Sequence, residues 1–291
     1  MGRGGHATAQ PRRASSVVIS TDFEVWLEDQ SAGMDGIESS VHTVYLIRHG
    51  EAEHNVKEKA AQRVAQADAV ARGMHPDKVK AAMEAARTAV LHDDSMHDPP
   101  LSDAGKASAS HIRMQLEELT SKGLPAPSRV LVSPLQRTLQ TAALAFPSHA
   151  NLQAREELRE RQTGLACDTC SPLPALAQRE TFDAVDFDKM LQIGGVGADG
   201  EQDGATKSSL TDVEDKAMLR IRTMQVLTLL EETADRSVAL VTHKGFLREL
   251  ERGPLCKPDA SECSNAEVRV YTLSISREEG GNRRLVAERI A

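Results

Sequence analysis

Aromatic side chains are scarce in this chain. Its 291 residues include one Trp, two Tyr and five Phe, 3% of the total. Leu, Val, Ile and Ala must therefore do most of the core packing. The 40% apolar fraction suffices for one large α/β domain or two small ones. Cysteine is also sparse. The four residues Cys167, Cys170, Cys256 and Cys263 are too few for a disulfide scaffold in a chain of this length. Cys167 and Cys170 have CxxC spacing, but Cys256 and Cys263 lie seven apart, so the close second pair of a zinc site is missing. We expect four reduced thiols. Apolar runs stop at four or five residues, as in Val44-Tyr45-Leu46-Ile47, far short of a membrane span. Positive charge is not in excess either: the formal net charge is −8 and the pI about 5.7. Such a chain does not attract nucleic acid or an anionic membrane through its overall field. An anion site must be a local concentration of positive charge.

What is present falls into two parts. Residues 1–40 read as a poorly ordered extension rich in Gly, Ser, Ala and Arg. Its first twenty-one residues carry three arginines and no acid, a composition partly like that of a transit peptide. Only Phe23 to Leu27 offers an apolar stretch that could dock. Met1-Gly2 begins like a myristoylation site, but His6 stands where Ser or Thr is required. Residues 41–291 read as one domain. Thr43 to Ile47, Arg129 to Val132 and Ser237 to Val241 are short continuous apolar runs, the pattern of strands buried on both faces in a central parallel sheet.

Helical segments separate these strands. Val56 to Leu91 is rich in Ala, Lys, Glu, Gln and Arg, and Gly73 and Pro76 break it into two helices. With the residues up to 97 it forms a helical insertion, about 56–97. A third helix follows Ser102 or Asp103 as cap and runs to Leu119. Ser133-Pro134 opens a fourth, to about Leu144, with Pro in its favoured first position. Cys167 to Gly204 reads as a long excursion that ends in a mobile loop, Gly194 to Gly204. Asp212 to Glu232 is a long helix with Val213, Ala217, Ile221, Met224, Leu227 and Leu230 on one stripe. Residues 268–275 and 284–290 alternate like final strands. The order fits an α/β sandwich, in which ligands bind beyond the carboxyl ends of the strands. Three of the expected strands end in reactive polar residues: Arg48-His49, Ser133 ahead of Arg137, and His243.

Those residue types suit one chemistry. A phosphate monoester is a dianion near neutral pH, and cleaving it needs its charge held, a nucleophile in line and a proton for the leaving oxygen. Arginine binds two phosphate oxygens with one planar fork and stays charged. Neutral imidazole is a nucleophile near pH 7. A carboxyl group of raised pKa keeps a proton to give. Gly50 lets a backbone amide approach an anion, and Arg137 lies one turn into a helix that starts at a strand end. Gly245 follows His243 by two residues. Taken singly, each has a plainer explanation: Arg137 as a surface helix arginine, His243 as a hydrogen-bonded strand end, Glu160 as part of the solvated run Arg155 to Arg161. Their joint order at strand ends favours the pocket. His54, His75, His92, His97 and His111 lack that context and read as structural or exposed.

The motifs carry a resemblance. Val44-Tyr45-Leu46-Ile47-Arg48-His49-Gly50-Glu51, with Asn55 beyond, closely resembles the signature of the histidine phosphatase (phosphoglycerate mutase-like) superfamily. Asp98-Pro99-Pro100-Leu101-Ser102 with Gly105, Ser133-Pro134-Leu135-Gln136-Arg137-Thr138, and Val241-Thr242-His243-Lys244-Gly245 resemble its later motifs in order, so the likeness spans about 41–250. It implies a phosphoglycerate mutase-like three-layer α/β/α sandwich with a mostly parallel central sheet. It further implies that His49 becomes the phosphohistidine, that Arg48, Arg137, His243 and Gly245 bind phosphate, and that Asn55 lines the pocket. Leu158-Arg159-Glu160-Arg161-Gln162-Thr163-Gly164 is similar to the family's acid segment. Glu160 is thereby the proton donor and later the base for water, with Glu157 as fallback. Leu165-Ala166-Cys167-Asp168 resembles the fungal and plant phosphatases of the family more than its glycolytic mutases, and no basic segment gripping a substrate carboxylate is evident.

The expectation is a metal-independent phosphatase with no cofactor, acting on a small phosphomonoester. It has no nucleic-acid or membrane partner and a cytoplasmic setting, with organellar targeting left open by the N-terminus. Two alternatives remain: a phosphoglycerate mutase, and a non-catalytic phospholigand-binding protein on the same fold. Substrate identity and oligomeric state are not legible.

Overall fold

The apolar run at Val44 to Ile47 forms the middle of a ten-residue strand in the computed structural model, which describes residues 16–19, 25–28, 39–193, 213–277 and 283–291. The expected mobile loop at Gly194 to Gly204 lies outside these residues. The chain opens with strands β1 (Ser16–Ile19), β2 (Val25–Glu28) and β3 (Ser39–Arg48). Helices α1 (Glu53–Ala71), α2 (Pro76–Leu91) and α3 (Asp103–Ser121) follow. Next come β4 (Arg129–Val132), α4 (Gln136–Ala145), β5 (Leu152–Ala154), α5 (Leu173–Ala177), β6 (Val185–Asp186) and α6 (Asp188–Ile193). The last part comprises α7 (Lys216–Glu232), β7 (Ser237–Thr242), α8 (Lys244–Arg252), β8 (Val268–Arg277) and β9 (Arg283–Arg289).

The strands form one sheet in the order β2-β1-β9-β8-β3-β7-β4-β5-β6. From β3 to β6 all pairings are parallel. Beyond β3, strands β8, β9, β1 and β2 pair antiparallel. Strand alternation sends side chains to two faces. Val44, Leu46, Val238 and Leu240 pack with Leu219, Val226, Leu230, Phe246 and Leu250 of α7 and α8. Tyr45, Ile47, Val130, Val132, Ala239 and Val241 pack with Ile112, Leu139 and Ala142 of α3 and α4. The result is the expected three-layer α/β/α sandwich. The four-residue strands β1 and β2 fall within the stretch read as an extension, β2 at the sheet edge and β1 between it and β9.

Two helix readings need correction. Pro134 is not in the first turn of α4, which starts at Gln136. The Ser133 amide still belongs to the sheet, donating to Val241 O at 3.0 Å, and the buried Asp98 carboxylate takes the Gln136 N–H at 2.9 Å. That carboxylate supplies the cap from outside the helix. Helix α7 starts at Lys216 rather than Asp212, with Asp215 accepting from the Met218 amide at 2.8 Å. Its buried face is Leu219, Thr223, Val226, Leu227 and Leu230, while Val213, Ala217 and Ile221 are exposed. The stripe misled because a threonine belongs to the true face. Thr223 is buried with its hydroxyl donating to Arg220 O at 2.7 Å.

The insertion forms the hairpin α1–α2, broken by Gly73 at φ +65°. It is an arm rather than a core element: α2 buries none of its residues and α1 buries only His54 and Ala69. The base of the arm is fixed by close backbone packing. A Cβ on Gly50 would lie 2.5 Å from Gly105 O, and a Cβ on Gly105 would overlap the Glu51 carbonyl. Only glycine at both positions lets the loop after β3 rest on the first turn of α3. There Ser102 caps by accepting from the Gly105 amide at 3.0 Å. Replacing Gly105 by Ala is therefore expected to cost roughly 1–3 kcal/mol or more of stability by overpacking, read as a lowered urea midpoint.

Candidate active site

Three parallel strands end side by side. In the register, Arg48 of β3 faces Thr242 of β7, and Val132 of β4 faces Val241. The next residues are thus His49, His243 and Ser133, and the ladder continues one step past the strands. The His49 amide donates to Thr242 O at 3.0 Å. The two imidazoles meet with ring centroids 5.1 Å apart and planes tilted by 59°. Both rings are buried, and Ser133 Oγ lies 2.7 Å from His243 Nε2.

The surroundings keep both rings neutral. Burial drives the pKa of His49 well below the usual 6.5, and the charges of Arg137 and Arg48 lower it further. His243 is depressed in the same direction by burial, then by Arg137 and His49. His49 Nδ1 sits 2.6 Å from Gly50 O. A carbonyl only accepts, so Nδ1 carries the proton and Nε2 keeps its lone pair. The carbonyl is itself fixed, since Asn265 Nδ2 donates to His49 O at 3.1 Å and to Gly50 O at 3.2 Å. The Gly50 amide donates to Thr141 Oγ1 on α4 at 3.1 Å.

Beside the rings lies a cavity of about 280 Å³. Arg48, His49, Asn55, Arg137, Glu160 and Gly245 all line it, whereas His243 stands behind His49, outside the lining. Arg137 is almost fully buried. Its Nη1 donates to Cys167 O at 2.6 Å and its Nη2 to Asp168 Oδ1 at 3.1 Å. Arg48 Nη1 donates to Cys263 O at 2.7 Å. The Nε of each arginine and His243 Nδ1 have no hydrogen-bond partner among the described residues. Buried donors left unmatched are costly, and two of these atoms belong to arginines that line the cavity.

Glu160 occupies a place that the sequence did not foretell. Its carboxylate accepts from the Gly245 amide at 3.2 Å, the Phe246 amide at 3.1 Å and its own neighbour Arg161 at 2.9 Å. It thus caps α8. A Cβ on Gly245 would collide with it, so glycine is required there for contact with Glu160. Gly245 was expected to offer its amide to phosphate, but the acid holds that amide here. Burial raises the Glu160 pKa, the charge of Asp168 adds to this, and the amides pull the other way. The fallback Glu157 pairs with Arg155 at 3.0 Å and does not line the cavity.

Sequence reading missed several contributors. His54, set aside as structural or exposed, lines the cavity. Asp168, noted only as part of a resemblance, pins Arg137, and Thr163 Oγ1 donates to its other oxygen at 2.6 Å. Thr141, Asn265 and Ser133 hold the histidine loop and His243. The signal for Asp168 was only its place in the resemblance; Asn265 and Thr141 had none. From the arm, Glu58, Arg87 and Leu91 reach the cavity mouth. Among the described residues no cluster of His, Cys, Asp and Glu suits a metal ion, and no helix is long and apolar enough to cross a membrane. The cysteines are free thiols.

The model of the histidine phosphatase superfamily (branch 1) matches residues 86–190. This segment holds Arg137 and Glu160, and the sheet register adds Arg48, His49 and His243 from outside it. No curated protein matches the chain. Among solved structures it is similar to an open reading frame product of Mycobacterium tuberculosis, with 20% identity over 86% of this chain and 96% of that one and a TM-score of 0.44. A mycobacterial glucosyl-3-phosphoglycerate phosphatase bound to VO3 is 17% identical over 86% and 98%, with a TM-score of 0.45. A phosphoserine phosphatase of Entamoeba histolytica in complex with 3-phosphoglyceric acid is 16% identical over 79% and 90%, with a TM-score of 0.41.

The buried neutral imidazoles set a pH dependence of stability. His49, His243 and His54 all have pKa values below 6.5 in the folded protein. Below that pH the unfolded chain takes up protons that the folded chain refuses, so stability falls as pH drops. Each group contributes a slope of up to about 1.4 kcal/mol per pH unit once its unfolded form is protonated. Urea midpoints should fall steeply from pH 7 to pH 5, and His243→Phe should flatten that slope.

Proposed function

We propose, with the histidine phosphatase superfamily match as premise, that this chain hydrolyses a small phosphomonoester through a phosphohistidine on His49. The observation that carries this reading is the state of His49: neutral, its Nδ1 proton committed to Gly50 O, its Nε2 lone pair free, beside the charges of buried Arg137 and half-buried Arg48. A nucleophile so held needs no deprotonation before attack.

In this reading Arg48 and Arg137 bind the phosphoryl oxygens through N–H groups left unmatched in the free protein. His49 Nε2 attacks phosphorus in line, the P–O bond to the leaving group breaks, and Glu160 gives that oxygen its proton. Glu160 suits this because burial raises its pKa, so it holds a proton at higher pH than an ordinary carboxyl. His243, aligned by Ser133, adds hydrogen bonding as charge spreads over the transferring group. In the second half Glu160 takes a proton from water, the hydroxyl oxygen bonds to phosphorus, and the P–N bond breaks to release phosphate and restore His49. Charge stabilisation comes from fixed guanidinium groups and backbone dipoles, which do not reorganise during the reaction.

Hydrolysis of p-nitrophenyl phosphate in the presence of a chelator tests the reading. His49→Ala should lower kcat at least about 10³-fold; activity that persists would remove His49 from the chemistry. Glu160→Gln should matter more with a poor leaving group. The loss should reach roughly 10²–10⁴-fold on an alkyl phosphate and be smaller on the nitrophenyl ester, whose leaving oxygen scarcely needs a proton. With 3-phosphoglycerate, free phosphate should appear faster than the 2-isomer; the reverse would favour a mutase.

A further inference from the structure

We propose that His54 is a further substrate-contacting residue, a neutral Nδ1–H donor to an oxygen of the bound phosphoryl group. The inference rests on the cavity holding a phosphomonoester, as argued above, and adds a second imidazole, beside His49, to its lining.

The argument begins with the proton. The Ala52 amide donates to Asn55 Oδ1 at 3.2 Å, which fixes the orientation of the Asn55 amide. Asn55 Nδ2 therefore faces His54 Nε2, at 2.9 Å. An amide nitrogen can only donate, so Nε2 accepts and carries no proton. The proton of the neutral ring must then be on Nδ1. That nitrogen has no hydrogen-bond partner among the described residues although it is buried. A buried N–H without an acceptor is expensive unless something arrives to accept from it.

Position supplies the acceptor. His54 lines the same cavity as Arg48, His49 and Arg137 and is only 7% exposed. Burial and the charges of Arg137 and Arg48 lower its pKa to about 3, so it is not a competing cation at working pH. Glu58 Oε1, 4.0 Å from Nε2, would favour a proton there, but Arg87 Nε already engages that carboxylate at 2.9 Å. The donor is thus pre-set by residues of the arm and its base. Asn55 accordingly acts as a positioning residue, since its Oδ1 accepts from Ala52 and one of its two Nδ2 protons goes to His54.

Ring ¹⁵N NMR and titration with orthovanadate test this in the full chain. His54 should show a protonated Nδ1 and an unprotonated Nε2, and the Nδ1 resonance should move when vanadate is added. His54→Phe, which keeps the ring and removes the donor, should weaken vanadate binding about tenfold. His54→Gln should recover part of it, with thermal unfolding showing that both variants fold. A proton found on Nε2, or a His54→Phe variant that binds vanadate like the wild type, overturns the proposal. If the wild type itself binds no vanadate, the phosphomonoester reading fails first.

Discussion

Everything at this site depends on the parallel pairing of β7 between β3 and β4. Because Arg48 is level with Thr242 and Val132 with Val241, three chain segments far apart in sequence leave the sheet together. His49 and His243 then stand level, with Ser133 one step behind them beside Thr242, and the arginines flank the pair from a strand end and a helix start. A slip of one residue in β7 would turn Thr242 and His243 to opposite faces. The full burial of β7 on both sides, six residues from Ser237 to Thr242, fixes that register through the core itself. The hydrophobic pattern that makes the fold is therefore also what assembles the chemistry.

The pocket is organised around charge it does not balance alone. Two guanidinium groups and the start of α8 at Gly245 line one small cavity. The free protein answers with acids: Asp168 holds Arg137, and Glu160 caps α8. The histidines respond by staying neutral, since a buried proton among arginines is unfavourable. In the proposed reading, an incoming dianion would relieve this arrangement by giving unmatched N–H groups an acceptor and adding negative charge.

Much of this was legible beforehand because short buried strands and their polar ends leave local marks. The runs at Thr43, Arg129 and Ser237 located three sheet strands, and Arg48, His49, Arg137, Glu160, Asn55 and Gly245 do share one cavity. The misreadings came where a polar partner, distant or local, overrides the hydrophobic pattern. Asp98 starts α4 from outside that helix, so Pro134 was misplaced. Thr223 is buried in α7 because its hydroxyl bonds to its own backbone. His54 was dismissed although Ala52 and Asn55, which fix its proton, are its sequence neighbours; what they do not reveal is that the arm sets its first turn beside the two arginines.

The most direct test is a crystal structure of the full chain soaked with orthovanadate. Vanadium should lie on the axis of His49 Nε2, with equatorial oxygens in hydrogen-bond reach of Arg48, Arg137 and His243 and the apical oxygen towards Glu160. Vanadate bound through another residue, or His49 and His243 turned to separate spaces, would contradict the account.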